Sequence, residues 1–239
     1  MSGPICGVSA ISFDFYNTLA THREGESRGQ RVTRFLEAHG WQAEPWRHEL
    51  LDDLFALHGS EYEPDASARQ HQEFCERVAA TLFSRMDIQA PRSALEAHAL
   101  DLWSILGPDS LVLFPDVEPT LARLKSAGYR LVVTSNWHCG LGGFCRKLGV
   151  GDRFDHVLAS AEVGVAKPDR RIFDEVSRRL GLSANQILHV GDNVTDDWNG
   201  ARSAGFEAVL LQRDPPASDA PSDMIVDAIR DLRELPDLL

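Results

Sequence analysis

Residues 8–19 read VSAISFDFYNTL. An apolar run closes on the acid Asp14, and Asn17 and Thr18 follow as turn formers. The run from Ile5 to Phe13 is expected to be a buried strand that ends at the Asp14 turn. In a sheet of parallel strands, ligands bind at the carboxyl ends, where the chain turns away toward a helix. A carboxylate at that position is a candidate nucleophile. A second acid two residues later would complete a general acid–base pair, but Tyr16 stands there.

From about Ala20 to Leu111 the rhythm becomes helical. Val32, Phe35 and Leu36 share one face. Leu50, Leu51, Leu54, Phe55 and Leu57 follow, then Phe74, Val78, Leu82 and Phe83, then Leu95, Leu100, Leu102 and Leu106. Gly40, Gly59, Pro64, Pro91 and Gly107 punctuate them. The block has no convincing strand and reads as about four helices. After Pro115 helices and strands alternate: helix DVEPTLARLKSAG, strand YRLVVTS, a helix near Leu141 to Leu148, strand HVLAS, a helix from Asp169 to Leu180, strand QILHV, a helix to Ala204, strand EAVLLQ and a terminal helix SDMIVDAIRDL. Such alternation means a parallel sheet with right-handed crossovers. The expected fold class is therefore α/β. A Rossmann-like parallel-sheet core spans residues 1–20 and 112–239, and a small all-helical cap, residues 21–111, is inserted after the first strand.

The chain has 239 residues, with 43% hydrophobic and 25% charged, a soluble globular composition. Its formal charge of -12 argues against nonspecific binding to nucleic acid or anionic membrane, since phosphate backbones attract basic surfaces. No stretch approaches a transmembrane helix. The N-terminus has no basic region before its short apolar run, unlike a signal peptide, so a cytoplasmic setting is expected. Cys6, Cys75, Cys139 and Cys145 show no metal-binding spacing and are expected to be reduced thiols.

Four strand ends carry polar residues: Asp14, Ser135-Asn136, Lys167 and Asp192, the last within GDNVTDD. Each alone is ordinary, because Asp caps helices and Ser-Asn makes turns. In this order, at one sheet edge, they form a site.

With these four motifs (DFYNTL, TSN, the Lys167-Pro168-Asp169 segment and GDNVTDDWNGARSAG) the sequence resembles the haloacid dehalogenase-like (HAD) hydrolase superfamily, helical-cap subfamily I. The stretch from Arg153 to Gly205 is similar to haloacid dehalogenase-like hydrolase domain-containing proteins. The resemblance implies that Asp14 attacks an electrophile and forms a covalent aspartyl intermediate, which water cleaves. Ser135 and Asn136 would donate hydrogen bonds to the transferring group, as would backbone N–H groups of the turn that includes Phe15. Lys167 would neutralise charge in the transition state. A magnesium ion would be held by Asp14, Asp192 and the backbone carbonyl of Tyr16, an all-oxygen set that suits it. Asp197 would orient Lys167 or metal-bound water, with Asn193 and Asp196 beside it. Thr18 either buttresses the Asp14 loop and the phosphate site or caps a helix.

Tyr16 divides the functional readings. Phosphatases of this family carry Asp there, and such acid–base help gives about 10²–10⁴-fold. A phenol with a pKa of about 10 replaces it poorly at neutral pH. The family's haloacid dehalogenases carry Tyr, because halide leaves without a proton. Asp192 points the other way: several acids around one lysine repel an anionic substrate unless a divalent cation intervenes. The first reading is a magnesium-dependent phosphatase acting on a small phosphorylated metabolite. The second is a 2-haloacid dehalogenase-like C–halogen hydrolase. The third is a weakly active or noncatalytic regulatory protein. A monomer or homodimer is expected, with no nucleic-acid partner and no membrane. Arg28, Arg31 and Arg34 are expected on an exposed helix face. His138 is expected to be a loop residue, His189 a packed core histidine and Trp198 a packing residue. Residues 59–67 are expected to be the cap loop that reaches the site, with hinges near Leu19 to His22 and Leu111 to Pro115.

Overall fold

The structure is a computed structural model, and it describes residues 5–22, 27–46, 50, 54, 68–107, 110–137, 140–213 and 228–239. The chain divides into two compact units. The first comprises Met1–Thr21, Leu113–Trp137 and Val150–Leu239. The second comprises His22–Val112 and His138–Gly149, so a segment placed in the α/β core by the sequence reading groups with the helices.

The strands in chain order are β1 (Ala10–Phe13), β2 (Ala20–His22), β3 (Leu111–Leu113), β4 (Arg130–Ser135), β5 (His156–Ala159), β6 (Ile187–Gly191), β7 (Glu207–Leu211) and β8 (Ala228–Ile229). Six form one parallel sheet in the order β5-β4-β1-β6-β7-β8. Its central strands are apolar and buried on both faces, as helices on either side require. The strand order reverses at β1, and the crevice at that reversal is where such sheets bind ligands. Phe13 pairs with Val133 on one side and Val190 on the other. This register sets Asp14 level with Thr134 and Gly191, so Ser135 and Asp192 lie one residue beyond it on either flank.

The helix Arg170–Leu180 shows how sequence builds this layer. Asp169 caps it by accepting from Arg171 N–H, and Gly181 ends it in the left-handed region at φ 64°. Ile172, Phe173, Val176 and Leu180 recur at helical spacing and are buried against Val132, Leu158, Ile187 and Ala208.

Three expectations about elements need correction. The first strand begins at Ala10, not Ile5, because Gly7 takes φ 83° and breaks the extended backbone. Ala228 and Ile229 are a strand, not part of a terminal helix, pairing with Leu210 and Leu211 along the edge of β7. Asp231 then caps a short 3₁₀ turn, Leu232–Asp237, that contains Pro236. Strands do occur at the ends of the helical insert, where β2 and β3 pair with each other.

In the second unit the described helices are Arg28–Ala38, Ala68–Arg85 and Arg92–Leu106. Val32, Leu36, Phe74, Val78, Leu82, Trp103 and Leu106 form their common core, with Leu50 and Leu54 also buried. Most of the helix expected around Leu50 to Leu57, and the loop at residues 59–67, lie outside the described residues. Arg34 is exposed, but Arg31 is buried, contrary to expectation. It lies 2.5 Å from His22 Nδ1 and donates to the Ile105 carbonyl at 3.2 Å, the partners a buried guanidinium requires. The Arg28 side chain lies outside what is described. Cys6, Cys75 and Cys145 form no disulfide, and Cys139 lies outside the described residues. No described helix is long and apolar enough to cross a membrane.

Candidate active site

Asp14 leaves β1 with its N–H bonded to the Val190 carbonyl at 2.9 Å, and its side chain is buried. Ser135, the last residue of β4, donates its hydroxyl to Asp14 Oδ1 at 2.8 Å. Lys167 reaches the same oxygen at 2.6 Å and Asp197 Oδ1 at 2.5 Å. The ammonium thus bridges two carboxylates, and only 2% of its side chain is exposed.

Asn136 anchors Lys167 from both sides. Its carbonyl oxygen accepts from Lys167 N–H at 2.7 Å, and its amide donates to the Lys167 carbonyl at 2.9 Å. The amide also reaches Asp196 Oδ2 at 3.3 Å. The Asn136 side chain is thereby committed to placing Lys167.

Motif GDN places Asp192 and Asp197 together. Asn193 caps the following turn by accepting from Thr195 and Asp196 N–H groups, and the chain winds as a π-helix over Val194–Asn199. This brings Asp197 back to β6, where Oδ2 accepts from Asn193 N–H at 2.9 Å. A Cβ at Gly191 would lie 2.2 Å from the Asp197 carboxyl carbon, so only glycine fits beneath that carboxylate.

His189 is missed by sequence reasoning. It is buried in β6, as a packed core histidine would be, but it joins the site. Its Nε2 lies 3.1 Å from Asp197 Oδ1 and its Nδ1 lies 3.0 Å from Ser12 Oγ. Ser12 Oγ in turn lies 2.9 Å from Thr134 Oγ1. A line of buried polar groups across β4, β1 and β6 therefore ends on the carboxylate that holds Lys167. Burial lowers the His189 pKa despite Asp197, so the ring is neutral. Nε2–H donates to Asp197.

The electrostatics separate the acids. Burial opposes the Asp197 charge, but Lys167 and the His189 hydrogen bond outweigh it and hold that pKa well below the carboxylate range. Burial raises Asp14, against the pull of Lys167. Burial also raises Asp196. Asp192 is pushed up to about 6 by burial, then by the charges of Asp14 and Asp197. Ligand oxygens of Asp14, Asp192 and Asp197 lie within 4.8 Å of one another. Both oxygens of Asp197 already have donors, so Asp14 and Asp192 are the pair that could hold a divalent cation. The all-oxygen donors and the surplus of negative charge fit such an ion.

The remaining sequence candidates fall around this centre. The Phe15 ring is fully buried and meets Trp137 edge-on at 5.2 Å, so only its backbone can face a ligand. Tyr16 is half-buried, its ring 6.3 Å from Trp137, and its backbone bridges to Ala20. Thr18 is buried and its hydroxyl has no hydrogen-bond partner among the described residues, so it neither caps a helix nor buttresses the loop by hydrogen bonding. Trp198 packs on the first unit's core under Arg202. His138 lies outside the described residues.

The model of the haloacid dehalogenase-like hydrolase family matches residues 8–205. The chain belongs to that family. It is a hydrolase by that membership. A glyceraldehyde 3-phosphate phosphatase of Methanopyrus kandleri is 35% identical over 240 residues, covering 95% of this chain and 97% of that protein. A haloacid dehalogenase-like hydrolase domain-containing protein 3 of Danio rerio is 28% identical over 207 residues, covering 85% and 84%. Among solved structures, a 2-haloacid dehalogenase of Pseudomonas syringae shares the fold with a TM-score of 0.62 at 24% identity, covering 97% of this chain.

Proposed function

We propose that this HAD hydrolase is a magnesium-dependent phosphatase for small phosphorylated metabolites, working through an aspartyl-phosphate on Asp14. The observation that carries this reading is Asp192. Its carboxylate stands beside Asp14, burial and neighbouring acids push it up to about 6, and Lys167 is already bridging Asp14 and Asp197. A dianionic phosphate ester enters such a site only with added positive charge. Asp14, Asp192 and the Tyr16 carbonyl would hold a magnesium ion, which would supply that charge. A relative named as a phosphatase along nearly the whole chain supports the same substrate class.

In this reading Asp14 Oδ2 attacks phosphorus while Oδ1 stays bonded to Ser135 and Lys167. The bond from phosphorus to the leaving oxygen breaks, and that oxygen draws its proton from solvent, since Tyr16 replaces the usual acid. Water then attacks phosphorus, releases inorganic phosphate and restores Asp14. Ser135, Lys167 and the N–H groups of the Asp14 turn steady the transferring group.

The test is a panel of phosphate esters with glyceraldehyde 3-phosphate among them, run with magnesium and then with chelator. Halide release from 2-haloacids is measured in parallel, because Tyr16 favours that second reading. Chelator-insensitive halide release without phosphate release would replace the phosphatase. Absence of both would favour a regulatory role.

Two variants probe the site. Tyr16→Asp should raise kcat on alkyl phosphates by about 10²-fold while changing aryl or acyl phosphates little, since only poor leaving groups need a proton. An equal change for both substrate types would show that Tyr16 has another role. Asp192→Asn should abolish magnesium-dependent stabilisation but raise the metal-free Tm. The sign follows from linkage: the folded pKa exceeds the unfolded 3.8, so the native state holds a proton that the unfolded state has lost. Stability therefore falls as pH rises from about 4 to about 6 and stays lower above it. Removing the charge should return on the order of 1 kcal/mol at pH 8, about 2–4 °C in a chelator melt. An Asp192→Asn Tm below wild type under those conditions would contradict the charge argument.

A further inference from the structure

We propose that Arg213 is a positioning residue for the nucleophile loop, fixing the backbone around the Tyr16 carbonyl; this rests on the proposed phosphatase reading. Arg213 lies two residues past the end of β7, outside all four sequence motifs. Its Nη2 donates to the Thr18 carbonyl at 2.6 Å and its Nε to the Asn17 carbonyl at 3.3 Å. Its Nη1 donates to Asp116 Oδ2 at 2.8 Å, and its guanidinium carbon sits 3.7 Å from the centre of the Phe114 ring. Asp116 is 2% exposed, and its Oδ2 also accepts from Leu232 N–H at 2.8 Å. The guanidinium is thus neutralised by Asp116 and held over the Phe114 ring.

The loop needs such a hold. Asn17 takes φ 60°, a left-handed backbone that non-glycine residues adopt at a cost. The loop's own bonds, Asn17 N–H to Ala20 and Leu19 N–H to Phe15, close its two ends. The Thr18 hydroxyl contributes no hydrogen bond among the described residues. Arg213 grips the two carbonyls directly after Tyr16, and so sets the direction in which the Tyr16 carbonyl points. A fork of rigid donors does this; a lysine ammonium, a single point charge, does not.

The test compares Arg213→Lys, Arg213→Gln and Asp116→Asn with wild type. Arg213→Lys keeps a cation for Asp116 and should fold. It should weaken magnesium binding, measured by calorimetry without substrate, by about tenfold, and lower kcat by about tenfold with KM within about twofold. Amides of Asn17, Leu19 and Ala20 should exchange with deuterium at least about tenfold faster, while those of β4 and β6 stay unchanged. Arg213→Gln should show the same pattern more strongly. Asp116→Asn leaves the carbonyl grip intact, so it should lower Tm while leaving magnesium affinity within about twofold. Unchanged loop exchange and magnesium affinity in both Arg213 variants would overturn the proposal. A wild type that neither binds magnesium nor releases phosphate would remove the phosphatase reading, and the loop amides would still decide the role of Arg213.

Discussion

Asp14→Asn should abolish turnover, lowering kcat by at least about 10⁴-fold, while leaving the fold intact. The amide is nearly isosteric with the carboxylate, and its oxygen can still accept from Ser135 and Lys167 at the positions Oδ1 now occupies. What it loses is the second anionic oxygen, the one that attacks in the proposed mechanism. Stability should change by only a few degrees in Tm. Burial raises the Asp14 pKa, so its charge is not comfortable in the native state, and Lys167 retains Asp197 when that charge is removed. The measurements are kcat on the best phosphate ester, a melting curve, and intact mass after rapid acid quench. Wild type should show a phosphoryl adduct on the peptide holding Asp14, and the variant none. Retention of more than about a tenth of the activity would end the covalent mechanism.

The sequence was informative where chemistry sits at strand ends and silent where it depends on distant pairing. Asp14, Ser135 and Asp192 each close an apolar run, and a parallel register places such residues at one edge. Asp197 was legible only through the family's motif order, because its ion pair with Lys167 spans 30 positions and leaves no local sign. His189 could not be distinguished from a packing histidine inside QILHV. Its partners are Asp197, which returns through a π-helical turn, and Ser12, 177 positions away. Arg213 was hidden for the same reason: two of its acceptors are backbone carbonyls, which leave no trace in residue type, and the third, Asp116, is 97 positions away. Arg31 shows a different limit. The spacing of Arg28, Arg31 and Arg34 says that they share a side of the helix but not which neighbour covers it. The misread ends of the chain are turns of local competition, Gly7 against extension and the open edge of β7 against a terminal helix.

Lys167→Met should give the largest loss of stability at neutral pH, and the loss should depend on pH. Methionine fills much of the same space, so packing changes little. The charge does not survive. Lys167 stands between Asp14 and Asp197 with its side chain 2% exposed, and its backbone is clamped by Asn136. Without it, the buried Asp14 and Asp197 and the half-buried Asp192 are left as anions with only neutral donors. Breaking a buried ion pair from one side costs about 3–5 kcal/mol, roughly 10 °C for a chain of this size. In wild type, Asp197 has a depressed folded pKa, so its stabilisation is present above the unfolded value of 3.8 and is lost as pH falls through the folded value. In the variant the largest cause of that depression is gone, and the carboxylates take up protons more readily. The gap in Tm between wild type and Lys167→Met should therefore be widest near pH 8 and shrink toward pH 5. Magnesium should narrow it at pH 8 by supplying part of the missing positive charge. Turnover should fall with it, since no other described cation reaches Asp14 Oδ1. A Tm gap of equal size at pH 5 and pH 8, indifferent to magnesium, would mean that the lysine stem and not its charge holds this centre together.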